Sequence, residues 1–258
     1  MIKAIFLDVD HTLYSHAQKK IPDDALAAVR AFQAKGGKAF LATGRHISEM
    51  ADLNMDHLGL DGYVMMNGAV ILDRDFKPVA GIKFEGESLR SLLNLFEQRK
   101  RPVVLLEANK SYINYADDWL LNVWKEYNIT PAPLACWSGE PLYGGVAYVS
   151  RQNEAQFKQN ELGPGIGVER WGDFGVDLTP HSGGKAYGLQ EVCEVYGLKP
   201  EELMAFGDAD NDISMLQFAG IGVAMGNALD QVKQAADYVT DDIDQGGVAK
   251  ALEHFGLV

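Results

Sequence analysis

The sequence opens with Ile2-Lys3-Ala4-Ile5-Phe6-Leu7, followed directly by Asp8-Val9-Asp10-His11-Thr12-Leu13, and this stretch decides the fold. An apolar run of this length predicts a buried strand, with two aspartates just after its C-terminal end. Open α/β sheets bind ligands in the crevice outside the carboxyl ends of their strands. Alternation along an extended chain places the side chains of Asp8 and Asp10 on one side and that of Val9 on the other. Two like charges this close need a cation, a proton or a substrate to offset them, although Asp is also common in turns.

The composition is that of a globular protein with an acidic surface. The 258 residues are 47% hydrophobic and 23% charged, enough for one large domain or two modest ones. The formal net charge of −13 argues against nucleic-acid backbones and anionic membranes as partners. Cys136 and Cys193 are too isolated for a disulfide framework or a cysteine zinc site, and Cys193 falls on the apolar face of a predicted helix. With no signal peptide and no apolar stretch of roughly 20 residues in this sequence, we expect a cytoplasmic protein.

Strand and helix patterns alternate at both ends of the chain. Apolar runs predict strands at 2–7, 38–42, 63–66, 203–206 and 221–224. Helical patterns predict helices that run from Pro22 to Gly36-Gly37, follow Arg45 to about Leu58, carry residues 186–196, span 213–218 and begin near Val248. Alternation at this short spacing predicts parallel βαβ units, and hence a doubly wound parallel sheet.

The middle of the chain, roughly residues 80 to 180, has a different arrangement of helix and strand patterns. Helical patterns near 88–99, 117–127 and 154–162 are interleaved with strand-like runs at 103–106, 112–114, 146–149 and 174–178. We predict an α+β module here, inserted into an α/β fold. The expected domains are a core formed by 1–79 and 182–258 and an insertion formed by 80–181.

Four polar clusters follow apolar segments or begin helices, and the Asp8/Asp10 pair is the first. The turn Thr43-Gly44-Arg45 offers a hydroxyl and backbone N–H groups to an anion, although Thr is also a routine helix cap. Lys185, beside flexible glycines, suits phosphate as a point charge, although a surface lysine is commoner. The run Gly207-Asp208-Ala209-Asp210-Asn211-Asp212 places three acids and an amide at another strand end.

Two familiar ion-binding and phosphate-binding loops do not account for these clusters. An EF-hand loop starting at Asp208 needs Gly at its sixth position and Glu at its twelfth, where the chain has Ile213 and Ala219. A Walker loop needs Ser or Thr after its lysine, where the chain has Ala186. Both readings fail.

The clusters together fit one task. Asp8, Asp10 and Asp208 supply hard oxygen ligands for Mg²⁺, which keeps waters and a substrate phosphate as its remaining ligands. Thr43 and Lys185 supply donors for the oxygens of a transferred group. One carboxylate can then act as a nucleophile and the other as a general acid/base.

These motifs, in this order, resemble the four motifs of the haloacid dehalogenase superfamily. The inserted module is similar to the large α/β (C2-type) cap of the Cof-type phosphatases, on a Rossmann-like core. Asn67-Gly68-Ala69 and the terminal Gly246-Gly247-Val248-Ala249-Lys250-Ala251-Leu252 are also similar to that subgroup. The resemblance extends over essentially the whole chain.

The resemblance implies a Mg²⁺-dependent phosphatase that forms an aspartyl phosphate. Asp8 would attack phosphorus, and Asp10 would protonate the leaving alcohol and then activate water. The ion would be held by the Asp8 carboxylate, the Asp10 main-chain carbonyl and Asp208. Phosphoryl oxygens would be bound by Thr43, Lys185, Asn211 and the backbone around Val9 and Gly44. Asp212 would orient the binding residues without itself contacting the ion or the phosphoryl group.

One position departs from the family pattern, and several points stay open. His11 stands where the family usually has Gly; it either lines the pocket or is a partly exposed turn residue.

The alternative functions are a phosphotransferase or phosphomutase, and a non-enzymatic sensor of a phosphorylated ligand. The expected substrate is a small phosphorylated metabolite such as a sugar phosphate, pyridoxal phosphate or flavin mononucleotide. Aromatic residues of the insertion either stack on a planar substrate or pack in the core: Tyr112, Trp119, Trp124 and Tyr143. The sequence leaves open whether the protein is a monomer or a dimer.

Overall fold

The computed structural model describes residues 1–50, 59–126, 129–170, 172–180 and 184–258. They form two compact units. The first unit comprises Met1–Arg45, Met50–Gly81 and Gly183–Val258, and the second comprises His46–Glu49 and Ile82–Ser182. Most of the helix predicted to reach Leu58 lies outside the described residues, as do Tyr127 and Ser182-Gly183. The part that is described is a 3-10 turn, Ile47–Glu49, and not an α-helix.

The described elements are numbered in chain order. The strands are β1 (Ala4–Leu7), β2 (Lys38–Ala42), β3 (Gly62–Met65), β4 (Val70–Asp73), β5 (Pro78–Gly81), β6 (Val103–Leu106), β7 (Ser111–Ile113), β8 (Gly144–Tyr148), β9 (Gly167–Arg170), β10 (Gly175–Thr179), β11 (Leu203–Gly207), β12 (Ile221–Ala224) and β13 (Tyr238–Val239). The α-helices are α1 (Asp23–Ala34), α2 (Gly86–Gln98), α3 (Asp118–Glu126), α4 (Glu154–Asn160), α5 (Gly184–Tyr196), α6 (Ile213–Phe218), α7 (Asp230–Ala235) and α8 (Gly247–His254).

The first unit is built on an eight-stranded sheet in the order β13-β12-β11-β1-β2-β3-β4-β5. The strands from β13 to β3 are parallel, and β3, β4 and β5 pair antiparallel. In the central register Leu7 lies opposite Leu41 on one side and Phe206 on the other. The carboxyl ends of β1, β2 and β11 therefore meet at one edge, where Asp8, Thr43 and Asp208 follow them. The predicted parallel α/β sheet is confirmed.

Amphipathic helices cover this sheet. Helix α1 buries Ala25, Ala28, Val29 and Phe32, the period of one helix face. The Phe6 and Phe40 rings of neighbouring strands stack at 5.0 Å between centroids. Helix α5 buries Cys193, so the predicted packed thiol is confirmed.

The second unit is built on a five-stranded antiparallel sheet in the order β7-β6-β8-β10-β9. Its own apolar core joins residues of α2 and α4 to alternate residues of the strands, among them Leu92, Leu95, Phe157, Val103, Leu105, Val176 and Leu178. A unit with its own sheet and its own core matches the predicted α+β module in kind. Among the described residues, no helix is both long enough and apolar enough to span a membrane.

The structure adds elements that the sequence patterns did not predict: β4, β5, β9, β13 and α7. The strand predicted at 63–66 also ends one residue early, because Met66 has a φ of 51° and begins a turn. That turn carries the chain into β4, which returns antiparallel alongside β3.

Candidate active site

A buried lysine lies at the centre of the site. Lys185, near the start of α5, has a fully buried side chain, so the surface alternative considered for it is wrong. Its Nζ donates to Asp8 Oδ1 at 2.5 Å and to Asp212 Oδ1 at 2.6 Å. Charged groups are buried at such a cost that a full ion-pair network is expected around them.

Three carboxylates gather around this lysine. Asp8, Asp208 and Asp212 each offer an oxygen, and these oxygens all lie within 4.8 Å of one another. Thr12 Oγ1 donates to Asp208 Oδ1 at 2.8 Å. Asp212 Oδ2 accepts from the backbone N–H groups of Asp208 and Ala209, both at 2.9 Å, which fixes the turn that carries the acids.

The electrostatics of the cluster favour a bound cation. Burial raises the pKa of Asp8 well above its usual range, the nearby Lys185 ammonium partly offsets this, and Asp212 and Asp208 add to it. Burial likewise raises the pKa of Asp208 to about 6, against the hydrogen bond from Thr12. Three acids facing one ammonium leave an excess of negative charge that a second cation would neutralise. Hard carboxylate oxygens on a rigid turn are suitable ligands for Mg²⁺.

Asp10 has different partners. Its Oδ2 accepts from Arg45 Nε at 2.8 Å, and its Oδ1 accepts from Arg45 Nη2 at 2.7 Å. His16 Nε2 lies 2.6 Å from the same Oδ1. Burial alone would raise the pKa of Asp10, but the hydrogen bonds and charge of Arg45, with a smaller effect of His16, outweigh it and lower the pKa. Asp10 is thus held ionised.

Thr43 and Asn211, two of the predicted phosphate-binding side chains, each have a hydrogen-bond partner. Thr43 is buried at the end of β2, and its Oγ1 accepts from the Arg45 N–H at 3.2 Å, a local turn contact. Asn211 Nδ2 donates to Asn67 Oδ1 at 3.1 Å. Gly44 lies against the same amide, since a Cβ there would be 3.2 Å from Asn67 Oδ1. Val9 is buried, and its carbonyl accepts from the N–H groups of Leu13 and Tyr14.

The structure brings Asp8, Asp208 and Lys185 together, pairs Asp10 with Arg45, and places the Asn67 amide against both Asn211 and Gly44. Sequence reasoning assigned no role to Thr12, His16, Arg45 or Asn67, which contact the predicted residues. Three of them lie inside stretches already quoted for other reasons. His16 lies outside, in the turn after β1, and no spacing pointed to it.

His11 has a left-handed backbone. Its φ is 61°, in the left-handed region that His tolerates better than most residues. The residue is exposed, its N–H donates to the Tyr14 carbonyl, and its own carbonyl accepts from Asn227. Its ring centroid lies 4.7 Å from that of His16. The backbone of His11 is therefore that of an exposed turn residue, which is the second of the two alternatives given for it.

The aromatic residues of the second unit divide between packing and exposure. Trp124 is buried edge-on against Tyr148, and its Nε1 donates to the Tyr148 hydroxyl at 3.0 Å. Trp119 keeps 43% of its surface exposed. Tyr112 donates its hydroxyl to Glu107 Oε2 at 3.2 Å. Trp124 is thus a core residue.

Comparison with known proteins agrees with this geometry. The model of the haloacid dehalogenase-like hydrolase family matches residues 5–252. The 5-amino-6-(5-phospho-D-ribitylamino)uracil phosphatase YcsE of Bacillus subtilis is 31% identical, covering 99% of this chain and 96% of that protein. The solved structure of BT1666 from Bacteroides thetaiotaomicron, described among phosphatases of this superfamily, has a TM-score of 0.86 and 30% identity, covering 100% and 96% of the two chains. The subclass IIB sugar phosphatase BT4131 has a TM-score of 0.81 and 32% identity, covering 99% and 100%.

Proposed function

The chain belongs to the family of haloacid dehalogenase-like hydrolases and is a phosphatase, and we propose that it hydrolyses small phosphorylated metabolites with Mg²⁺ through an aspartyl phosphate. The observation that carries this proposal is the buried ammonium of Lys185 between Asp8 and Asp212. A fixed positive charge beside a carboxylate nucleophile neutralises the charge of an incoming phosphoryl group. In phosphoryl transfer, positioning and charge neutralisation supply most of the catalysis.

Asp8 is the proposed nucleophile. One of its carboxylate oxygens attacks phosphorus, the bond from phosphorus to the alcohol oxygen breaks, and Asp10 gives that oxygen a proton. In the second step Asp10 takes a proton from water, the water oxygen attacks phosphorus, and the bond between phosphorus and the Asp8 oxygen breaks, which releases inorganic phosphate. Asp10 is thus protonated at the start of each turnover and ionised between the two steps, and the ionised form, paired with Arg45, is the one that the second step requires.

Mg²⁺ is the proposed cofactor. The Asp8 carboxylate, the Asp10 main-chain carbonyl and Asp208 would hold it, and Asp212 would fix the turn that carries Asp208. When bound, the ion supplies positive charge to the phosphoryl oxygens. Thr43, Lys185, Asn211 and the backbone of Val9 and Gly44 would bind those oxygens.

The second unit is the proposed cap, which selects the substrate. A cap that excludes water during catalysis also contacts the part of the substrate that is remote from phosphorus, and these contacts determine which substrates are accepted. The related proteins act on different molecules: one carries a ribitylaminouracil phosphatase name, another a sugar phosphatase name. Their common chemistry is a phosphate monoester of a small polyhydroxylated molecule, and we propose that class for this chain. Its location in the cytoplasm is likewise a proposal.

The test is the release of inorganic phosphate from p-nitrophenyl phosphate and from a panel of phosphorylated metabolites. Asp8→Asn keeps the size of the side chain but removes the nucleophile, so activity should fall by at least about 10³-fold, as for removal of a covalent catalytic group. Asp75→Asn, in an exposed turn, is the matched control and should retain activity. EDTA should abolish phosphate release by the native enzyme, and added Mg²⁺ should restore it. Persistent turnover by Asp8→Asn would show that another group attacks phosphorus.

A further inference from the structure

The turn after β3 has an unusual backbone. Met66, Asn67 and Gly68 have φ values of 51°, 52° and 92°, three consecutive residues in the left-handed region. Residues other than glycine pay a steric penalty there, so the backbone of Met66 is strained. Strain of this kind persists where the surrounding structure holds it, and it clusters at functional sites.

The turn contacts the segments that carry the proposed phosphate-binding groups. The Asn67 N–H donates to the Thr43 carbonyl at 3.0 Å, and the Met66 N–H donates to the Arg45 carbonyl at 3.1 Å. Both ends of the Thr43–Arg45 turn are therefore fixed by backbone hydrogen bonds. The Asn67 side chain lies against Gly44 between these two contacts.

The same turn packs on the helix that carries Lys185. A Cβ on Gly68 would come within 2.7 Å of the Gly184 carbonyl oxygen and 2.8 Å of the Gly188 nitrogen. Backbone meets backbone at this point, one residue before Lys185. The turn thus also sets the position of the first turn of α5.

The side chain of Asn67 makes the third connection. It is 5% exposed, and its Oδ1 accepts from Asn211 Nδ2 at 3.1 Å. That bond orients the Asn211 amide, because a side-chain amide can rotate unless a partner holds it. A left-handed φ is accessible to Asn at little cost, so this residue type suits both the backbone and the bond.

We propose that Asn67 is a positioning residue for phosphate binding, which orients the Asn211 amide. This inference rests on the proposed function, since it concerns the groups that hold the phosphoryl oxygens there. Asn67 acts through its neighbours and needs no contact with phosphorus.

The test is a double-mutant cycle on kcat, KM and the inhibition constant of inorganic phosphate. Asn67→Gly keeps the left-handed backbone and removes the amide, so kcat/KM should fall by about five- to tenfold and the inhibition constant rise by a similar factor, as for a lost hydrogen bond. Asn211→Ala should show at least the same losses. The double variant should match Asn211→Ala alone, because Asn67 then has no amide to orient. Fully additive losses would overturn the proposal.

A control separates positioning from stability. Asn114 of the second unit is also 5% exposed, and it accepts from the Val103 N–H and donates to the Phe96 carbonyl. Asn114→Ala should lower Tm without changing the phosphate inhibition constant. If Asn67→Gly does the same, Asn67 is a structural residue and the proposal fails.

Failure of the proposed function gives a different result from failure of the positioning role. If the proposed function is wrong, the native protein releases no phosphate from any ester of the panel with Mg²⁺. The thermal shift produced by inorganic phosphate with Mg²⁺ then replaces kinetics as the readout. A shift of equal size in the native protein and in Asn67→Gly, or no shift in either, also overturns the positioning role.

Discussion

At the scale of single residues, Lys185 decides the balance of charge in the first unit. Its ammonium is the cation that the structure gives to the buried carboxylates of Asp8 and Asp212. An acidic pair of this kind is tolerable in the interior only while a positive charge is fixed between its members. The same residue therefore serves folding in addition to its proposed role in phosphate binding.

Lys185→Met tests this double role, because Met keeps an unbranched side chain of similar length and removes the charge. We expect a loss of about 3–5 kcal/mol in the free energy of unfolding, as for breaking a buried ion pair, and loss of phosphatase activity. Urea denaturation at pH 7 in EDTA measures the first effect. Lys250→Met removes an exposed ion pair with Asp241 and should cost less than about 1 kcal/mol. Equal stability of the two variants would contradict the argument.

At the scale of elements, the close contact of α5 with β3 and its turn fixes where Lys185 lies. A Cβ on Gly188 would be 2.2 Å from Val64 Cγ1 and 2.8 Å from the Gly68 Cα. The helix can lie this close to the turn only because two glycines meet there. Any side chain at 188 must push the helix away from the sheet.

Gly188→Ala is therefore expected to destabilise the protein by about 1–3 kcal/mol through overpacking, although Ala is the better helix former. Activity should fall as well, because Lys185 lies one turn earlier on the same helix. Gly197→Ala, just beyond the end of α5, is the control, since its Cβ would meet open space and it carries only the cost of a φ of 65°. The measurements are the urea midpoint and kcat of both variants. If Gly188→Ala kept full activity, α5 would tolerate displacement and the argument would be wrong.

Much of the element pattern could be predicted from the sequence, because apolar periodicity reports burial directly. Strands β2, β6 and β12 and helix α6 have the predicted bounds. The hairpin of β3 and β4 was missed although the Asn67-Gly68 pair between apolar runs is a hairpin signal. Strand β9 was missed because all four of its residues are half-buried, which leaves no clear alternation to read.

The site was predictable to a similar extent. Spacing places Asp8 and Asp208 after neighbouring parallel strands, so their approach follows from topology. Spacing does not say which way a side chain turns beyond the strand end. The contacts of Arg45 and His16 with Asp10 depend on such directions. So does the contact of Asn67 with Asn211, since a turn signal does not say where the Asn67 side chain points.

At the scale of the whole molecule, buried ionisable groups act on stability in opposite directions as the pH falls. Burial raises the pKa of Asp8, Asp177 and Asp208, so these acids take up protons more readily in the folded state and favour it at lower pH. His46 acts the other way. It belongs to the second unit, where the ring contacts the Glu107 carbonyl at 2.9 Å and Ser48.

Burial lowers the pKa of His46 to about 4, against the hydrogen bond with the Glu107 carbonyl, while the unfolded chain keeps a value near 6.5. Between these two values the unfolded chain is protonated and the folded one is not, so the contribution of His46 to stability is complete above about pH 6.5 and is lost as the pH falls toward 4. The difference of about 2.5 pH units corresponds to about 3 kcal/mol. His46→Gln can still donate to the Glu107 carbonyl but cannot titrate, so its stability relative to the native protein should improve by about that amount between pH 7 and pH 4. Urea denaturation at a series of pH values measures this difference and cancels the effect of the three acids. If His46→Gln instead runs parallel to the native protein over this pH range, His46 is protonated in the folded state.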